Sequence, residues 1–216
     1  MKFTELERMV GGVLNDSKHI VWTQDQVRDW LVDAERVTIA ARADAGAVTE
    51  TVQLIPGTRQ ELPLGGIKLL TVIRNMGSGS VPGVAIRLVD RGIKDESDPN
   101  WHTEAASAVI YEYTFDDRIP AAYFVSPPAL ANTNIQIEYS KEPGPYDFSE
   151  NPDTTISDIY TPHMIEWALY RCFSRSDENT PDYVRSQAHY QRWGDMLRLK
   201  LNSDINVSPK QRGHLL

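Results

Sequence analysis

Cysteine is almost absent from the sequence, since Cys172 is the one cysteine among 216 residues. A single cysteine excludes an internal disulfide framework, and it also excludes zinc sites that are built on pairs of cysteines. No apolar run approaches the ~20 residues that a helix needs to cross a bilayer. These absences favour a protein of the reducing cytosol that has no transmembrane helix.

Basic residues are also in short supply. The sequence has 22 lysines and arginines against 30 aspartates and glutamates, which gives a formal net charge of −8. Because proteins bind phosphate backbones mainly through lysine and arginine, an isolated copy is poorly suited to wrap nucleic acid. The same acidity would suit a channel through which DNA slides without being held.

The motifs that usually hold a metal ion or a phosphate are missing as well. No two histidines have the i, i+4 spacing that places two metal ligands on one helical face. Residues 77–80, a Gly-Ser-Gly-Ser loop, lack the Gly-Lys-Ser/Thr ending of a phosphate-binding loop. Cys172 lies among aromatic residues on a predicted helix, which favours a buried thiol over a nucleophile. We therefore expect no metal site, no cofactor and no catalytic residues. The histidines are His19, His102, His163, His189 and His214.

Two amphipathic helices are predicted near the start of the chain. Apolar residues recur at helical spacing in residues 3–14. The second helix has the signature of a capping box, with Thr23 as the N-cap and Gln26 three residues later. Its apolar stripe begins at Val27, and Glu35 is expected with the other charged residues on the solvent-exposed faces.

From about residue 47 the apolar period changes from about 3.6 to 2, which predicts strands. Between the strands lie short segments rich in glycine and proline, which are typical of turns. Strands and helices do not alternate, so a Rossmann-type fold is disfavoured and an antiparallel sandwich or barrel-like sheet is favoured. The predicted strands cover residues 48–54, 67–74, 84–89, 109–115, 123–125 and 135–139.

Two further helices are predicted after a proline-containing loop. They begin at Thr161-Pro162 and at Thr180-Pro181, where the threonine serves as N-cap and the proline takes the first helical position. Each helix is too short to be stable alone, so the four helices are expected to pack together.

The predicted fold class is therefore α+β, a bundle of about four helices with an antiparallel β domain inserted between the second and the third. The predicted segments are N-terminal helices at 1–44, the β domain at 45–142, a loop at 143–155, C-terminal helices at 156–203 and an extended tail at 204–216.

Asp116, Asp117 and Arg118 form the most chemically suggestive stretch, within the sequence TFDDRIPAAYFVSPP. A hydrolytic carboxylate pair has to face the substrate from two sides, whereas adjacent residues on a strand point to opposite faces. The stretch lies between two aromatic strand segments and ends at Pro127-Pro128, which is typical of a hairpin corner. We interpret the three residues as stabilising the turn. The alternative is a small hydrolase or a carbohydrate-binding β domain that uses Asp116 and Asp117.

Several blocks of the sequence, in their order and spacing, resemble the head-to-tail adaptor proteins of tailed bacteriophages. These blocks are LNDSKHIVWTQDQVRDWLVDAERVTI, IPGTRQELPLGGIKLLTVIRNMG, TFDDRIPAAYFVSPP, IQIEYSKEPGPY and YTPHMIEWALYRCFSRSDE. The resemblance implies a non-enzymatic structural protein that forms a homo-oligomeric, dodecameric ring under the portal protein and extends the DNA exit channel. It also implies docking of a tail tube or nozzle protein, a place at the head–tail junction of the virion, and assembly in the host cytoplasm. The alternative within the virion is a neck, tail-completion or tail-tube component.

The C-terminal tail is predicted to bind the portal. It has too few apolar residues to fold alone, and such segments become ordered on binding a partner. An unimportant frayed terminus is the alternative interpretation. The residues that we predict to contact the portal are Pro209, Lys210, Arg212, His214, Leu215 and Leu216.

Overall fold

The computed structural model describes residues 1–77, 81–175 and 180–207. The chain divides into two compact units: a helical unit, made of residues 1–41 and the chain from residue 145 onward, and a β unit, made of residues 42–144. This arrangement confirms the α+β class and the insertion of the strands between the second and third helices of the bundle.

The described part of the helical unit contains four α-helices. These are α1 (Phe3–Val13), α2 (Gln24–Ala41), α4 (Thr161–Phe173) and α5 (Pro181–Val207). Helix α4 packs against the other three, and α1 also packs against α2. Helix α5 reaches Val207, so the first residues of the predicted extended tail, 204–207, are helical. Residues 208–216 lie outside the described residues.

The helix starts follow the sequence signals with one exception. The capping box of α2 is confirmed, since Thr23 Oγ1 accepts the N–H of Gln26 and Gln26 Oε1 accepts the N–H of Thr23, each at 3.3 Å. Thr180 Oγ1 accepts the N–H of Tyr183 at 3.4 Å, as expected of an N-cap. The predicted Thr161 cap was wrong by one residue, because α4 begins at Thr161 and the capping position belongs to Tyr160.

The described part of the β unit contains eight strands and one short α-helix. The strands form two four-stranded sheets, a first sheet of order β1-β8-β3-β4 and a second of order β2-β7-β6-β5. Their inner faces share one apolar core that includes Val72, Ile137, Tyr113 and Val125. The elements are β1 (Ala47–Gln53), β2 (Gly57–Glu61), β3 (Gly66–Met76), β4 (Pro82–Ala85), β5 (Arg87–Leu88), α3 (Arg91–Ser97), β6 (Glu112–Phe115), β7 (Ala122–Ala129) and β8 (Asn134–Lys141).

Two elements of the β unit were not predicted. Strand β2 is polar and buries only Gln60 among its five residues, so it lacks the apolar alternation that marks a strand. Helix α3 lies where a loop was expected and buries none of its residues, so it has no apolar stripe. Its one clear signal is Asp90, whose carboxylate caps the helix by accepting the N–H of Ile93 at 3.2 Å.

The prediction of a wholly antiparallel domain was wrong in one place. Strand β5 pairs with β6 in parallel, through Arg87–Glu112 and Leu88–Tyr113. The chain leaves β4 in the first sheet and enters β5 in the second, so β5 is not the hairpin partner of the strand that follows it. The other pairs of strands in both sheets are antiparallel.

The turn between β2 and β3 depends on two glycines. Gly66 donates its N–H to the carbonyl of Pro63 at 2.8 Å, and Gly65 has φ of +82°. A positive φ at the third position of a turn is the requirement of a type II turn, and glycine meets it without steric cost. A Cβ on Gly66 would lie 2.6 Å from Cβ of Leu62, so this position has no room for a larger residue.

Candidate functional site

Asp116 and Arg118 lie in the turn between β6 and β7. The Asp116 carboxylate accepts the backbone N–H of Arg118 at 2.9 Å and two guanidinium N–H groups at 2.7–3.1 Å. Asp117 forms a separate ion pair with Lys68 at 3.1 Å. The two carboxylates therefore serve different partners, and neither is arranged as half of a hydrolytic pair.

The position of the corner differs from the prediction. The turn comes before β7, and Pro127 and Pro128 lie within that strand, whose extent was underestimated at both ends. The backbone of β7 still forms hydrogen bonds there, since Ser107 donates its N–H to the carbonyl of Pro128 at 2.8 Å. A proline lacks only the N–H, so its carbonyl remains free to accept.

An open groove of about 620 Å³ lies beside this turn and is also lined by Asp90, Arg91 and Asp95. The hydrogen bonds from Arg118 lower the pKa of Asp116 from 3.8 to about 2. A carboxylate with so low a pKa is ionised at neutral pH and is a weak proton donor or acceptor there. The geometry therefore favours a structural turn over a catalytic groove, and the stabilising role of Asp116, Asp117 and Arg118 stays a prediction.

We expect Asp116→Asn to reduce the acid sensitivity of the β unit. A carboxyl whose pKa is lower in the folded state adds stability above pH 3.8, and that stability is lost as the pH falls toward 2. The stability difference between wild type and variant should therefore shrink along this range in denaturant titrations. Asp117→Asn is the comparison variant and should have the smaller effect, because the Asp117 side chain is 74% exposed and its ion pair with Lys68 is screened by solvent. Equal pH profiles for all three proteins would contradict the assigned role.

The other residues considered for chemistry have structural surroundings. Cys172 is fully buried, and burial raises the pKa of its thiol to about 12, which leaves it protonated and unreactive. His102 Nδ1 lies 2.9 Å from Thr58 Oγ1, and its ring stacks on Trp101. His189 Nδ1 lies 2.7 Å from a carboxylate oxygen of Glu166. Among the described residues, no group of three or more His, Cys, Asp or Glu side chains could hold a metal ion.

Glu35 is a heavily hydrogen-bonded polar group in the described part of the helical unit. The prediction that it faces solvent was wrong, because its side chain is completely buried. Its carboxylate accepts the hydroxyl of Tyr146 at 2.5 Å and the backbone N–H of Thr155 and Ile156 at 2.8 and 3.4 Å. Burial raises the pKa of this carboxyl. Glu35 thus fixes the segment 146–156 against α2.

A second polar junction joins α2 to α4 within the same unit. Asp33 accepts the indole N–H of Trp167 at 3.0 Å and a guanidinium N–H of Arg171 at 2.5 Å. The Trp167 ring in turn packs against Trp193 of α5, with centroids 4.9 Å apart. Aromatic pairs at such distances add stability beyond the area they bury. These contacts tie α2, α4 and α5 together.

The sequence contains a pattern that indicates the burial of Glu35, and the prediction did not use it. Leu31, Glu35 and Ile39 are spaced by four residues and therefore lie on one face of α2. Both flanking residues are buried, so a carboxylate between them has to be buried as well. Its partners, in contrast, lie 111 to 121 residues away and leave no local signal.

The predicted portal-binding residues Pro209, Lys210, Arg212, His214, Leu215 and Leu216 lie outside the described residues. Within the described residues, the candidate functional site consists of surfaces that are available to bind partners. No helix in the described parts of the chain has both the length and the apolar content to cross a membrane.

The protein has an α+β fold that divides into two units. The polar junctions at Glu35 and Asp33 hold neighbouring segments of the helical unit together. The model of the SU10 adaptor protein family matches residues 1–213. The chain therefore belongs to this family of phage head-to-tail adaptors, which confirms the resemblance, and its role is that of a structural adaptor or connector of the phage virion. No curated protein matches the chain.

Proposed function

We propose that this protein forms a homo-oligomeric ring between the portal and the tail of the virion and extends the channel through which DNA leaves the head. The observation that carries the proposal is the family match, which extends over residues 1–213 and so includes both units. The partners are the portal protein on one side and a tail tube or nozzle protein on the other. Assembly takes place in the host cytoplasm.

The acidic composition supports the channel role. A formal net charge of −8 per copy is multiplied in a ring of many copies. Where such charge faces the channel, it repels the DNA backbone and keeps the packaged DNA from adhering to the wall. We propose that the ring contacts DNA without binding it specifically.

The portal contact is assigned to the C-terminal tail. Helix α5 extends from Pro181 to Val207, and the predicted portal-binding residues follow it in the sequence. The segment contains Lys210, Arg212 and His214 and ends in two leucines, so it offers both charge and apolar anchors to a partner. A tail of this kind binds by becoming ordered on the surface of its partner.

Deletion of residues 208–216 tests this assignment. We expect the truncated protein to keep its fold and to bind purified portal complexes at least about tenfold more weakly than the full chain, which corresponds to ~1.4 kcal/mol. The matched control carries the same tail residues in scrambled order, which preserves length and charge. The assignment is wrong if the truncated protein binds portal complexes as tightly as the full chain.

A further inference from the structure

Strand β1 is an edge strand without the usual protection against pairing. It lies at the end of the first sheet, and all seven of its residues pair with β8 in an uninterrupted register. Five of them, all but Val48 and Val52, are exposed. Proteins commonly protect such edges with lysine, proline, a bulge or a very short strand, and β1 has none of these. Its one charged residue, Glu50, already accepts the hydroxyl of Tyr139 at 2.7 Å.

The free backbone groups of β1 can be assigned from its register. Leu54 donates its N–H to the carbonyl of Thr133 at 2.8 Å, and the pairing continues without a shift into β1. In an antiparallel pair, alternate residues direct both backbone groups to the same neighbour. Residues 48, 50 and 52 therefore bond to β8, whereas Thr49, Thr51 and Gln53 direct their N–H and C=O groups to the open edge.

The opposite edge of the same sheet is β4, which is short, begins with Pro82 and pairs with β3 through one register shift, so a further strand can pair with it only along residues 83–85. Strand β4 pairs with β3 on one side, and all four of its residues are exposed. Val84 and the preceding Val81 are 55% and 61% exposed, so this edge offers apolar side chains as well as backbone groups. Residues 81–85 carry no charge, so β4 and β1 can approach each other without repulsion between like charges.

The strand directions fit a head-to-tail contact between these two edges. Neighbouring strands in the first sheet run antiparallel throughout, and their number is even. A second copy in the same orientation beside the sheet therefore brings its β1 antiparallel to β4, which continues the alternation. The second sheet does not offer this continuation, because its edge strand β5 has two residues and runs parallel to β6.

We propose that copies of this chain associate by pairing β1 of one copy with β4 of the next, so that the first sheets form a continuous antiparallel band. The contact joins two different surfaces, and a contact of this kind yields a ring when its rotation closes. The inference rests on the proposed ring and names the surfaces that build it. Main-chain hydrogen bonds provide the affinity, as in other cases of strand addition.

Thr51→Pro removes one of the outward N–H groups and leaves the bonds to β8 intact. Thr51→Val is the matched control, because it keeps the N–H and the β-branched shape. We expect both variants to fold, as judged by circular dichroism. Imaging of mixtures with purified portal complexes should show rings for wild type and Thr51→Val, and none for Thr51→Pro.

Cross-linking provides a second test that does not depend on proline being tolerated. A short bismaleimide is added to Thr51→Cys, to Val84→Cys, to an equimolar mixture of the two, and to the double variant, each assembled on portal complexes. Cys172 is buried and does not compete for the reagent. We expect dimers from the mixture, a ladder of multimers from the double variant, and neither from the single variants alone.

The outcomes separate this inference from the proposed function. Three results would each overturn the edge contact while the adaptor role stands: dimers from Thr51→Cys alone, a cross-link between the Thr51→Cys variant and the portal protein, or rings from Thr51→Pro that match those of wild type. Failure of the wild-type protein to bind portal complexes would overturn the proposed function and, with it, this inference.

Discussion

Replacing Glu35 by alanine will lower the free energy of unfolding of the helical unit by about 2–4 kcal/mol. The change empties a fully buried position and removes the acceptor for the half-buried Tyr146 hydroxyl, the exposed Thr155 N–H and the buried Ile156 N–H. Denaturant titration followed by tryptophan fluorescence reports on this unit, because four of the five tryptophans lie in it. An unchanged unfolding midpoint would contradict the assigned role of Glu35.

Glu35→Gln is the matched control, since its amide oxygen can still accept the N–H of Thr155. It also isolates a pH effect. The pKa of Glu35 is raised from 4.5 by burial, so the folded state holds this proton more tightly than the unfolded state does. The stability of wild type relative to Glu35→Gln should therefore be greatest at or below pH 4.5 and should decrease as the pH rises through the raised pKa. The opposite slope would show that hydrogen bonding outweighs burial.

Asn75→Leu should lower the free energy of unfolding of the β unit by about 2–4 kcal/mol. The buried amide of Asn75 donates to the carbonyls of Val84 and Ile110 at 3.1 and 2.7 Å and accepts the N–H of Ile110 at 2.8 Å. Leucine has a similar volume and none of these hydrogen-bonding groups. The effect is measured by denaturant titration followed by hydrogen exchange at the Ile110 amide, which reports on the β unit alone.

Asn134→Leu serves as the control for this second substitution. Its side-chain amide donates one long hydrogen bond of 3.4 Å, so the change should alter stability by less than about 0.5 kcal/mol. If both leucine variants unfold at the same denaturant concentration, Asn75 does not bridge β3 to β4 and to the segment before β6.

The parts of the fold that depend on residues close together in the sequence could be predicted. The capping box of Thr23 and Gln26 was readable because both partners lie within one helical turn. Strand β8 was readable because its buried residues alternate at Ile135, Ile137 and Tyr139. Strand β2 and helix α3 were not predicted, because neither buries an apolar side chain and their sequences therefore show no apolar periodicity.

Pairing between strands that lie far apart in the sequence could not be predicted. The parallel contact of β5 with β6 joins residues 25 apart and depends on the crossing of the chain between the two sheets. The candidate turn at Asp116 and Arg118 was predictable because its bonds span two residues. The surface that we assign to self-association depends on the order of the strands, which no local pattern specifies.

The most direct test of the adaptor role is to mix the purified full-length protein with isolated portal complexes and to image the product by electron microscopy. We expect a ring of additional density at one end of the portal, coaxial with its channel. Portal complexes that remain bare at saturating protein concentration, or protein that binds instead to isolated tails alone, would contradict it.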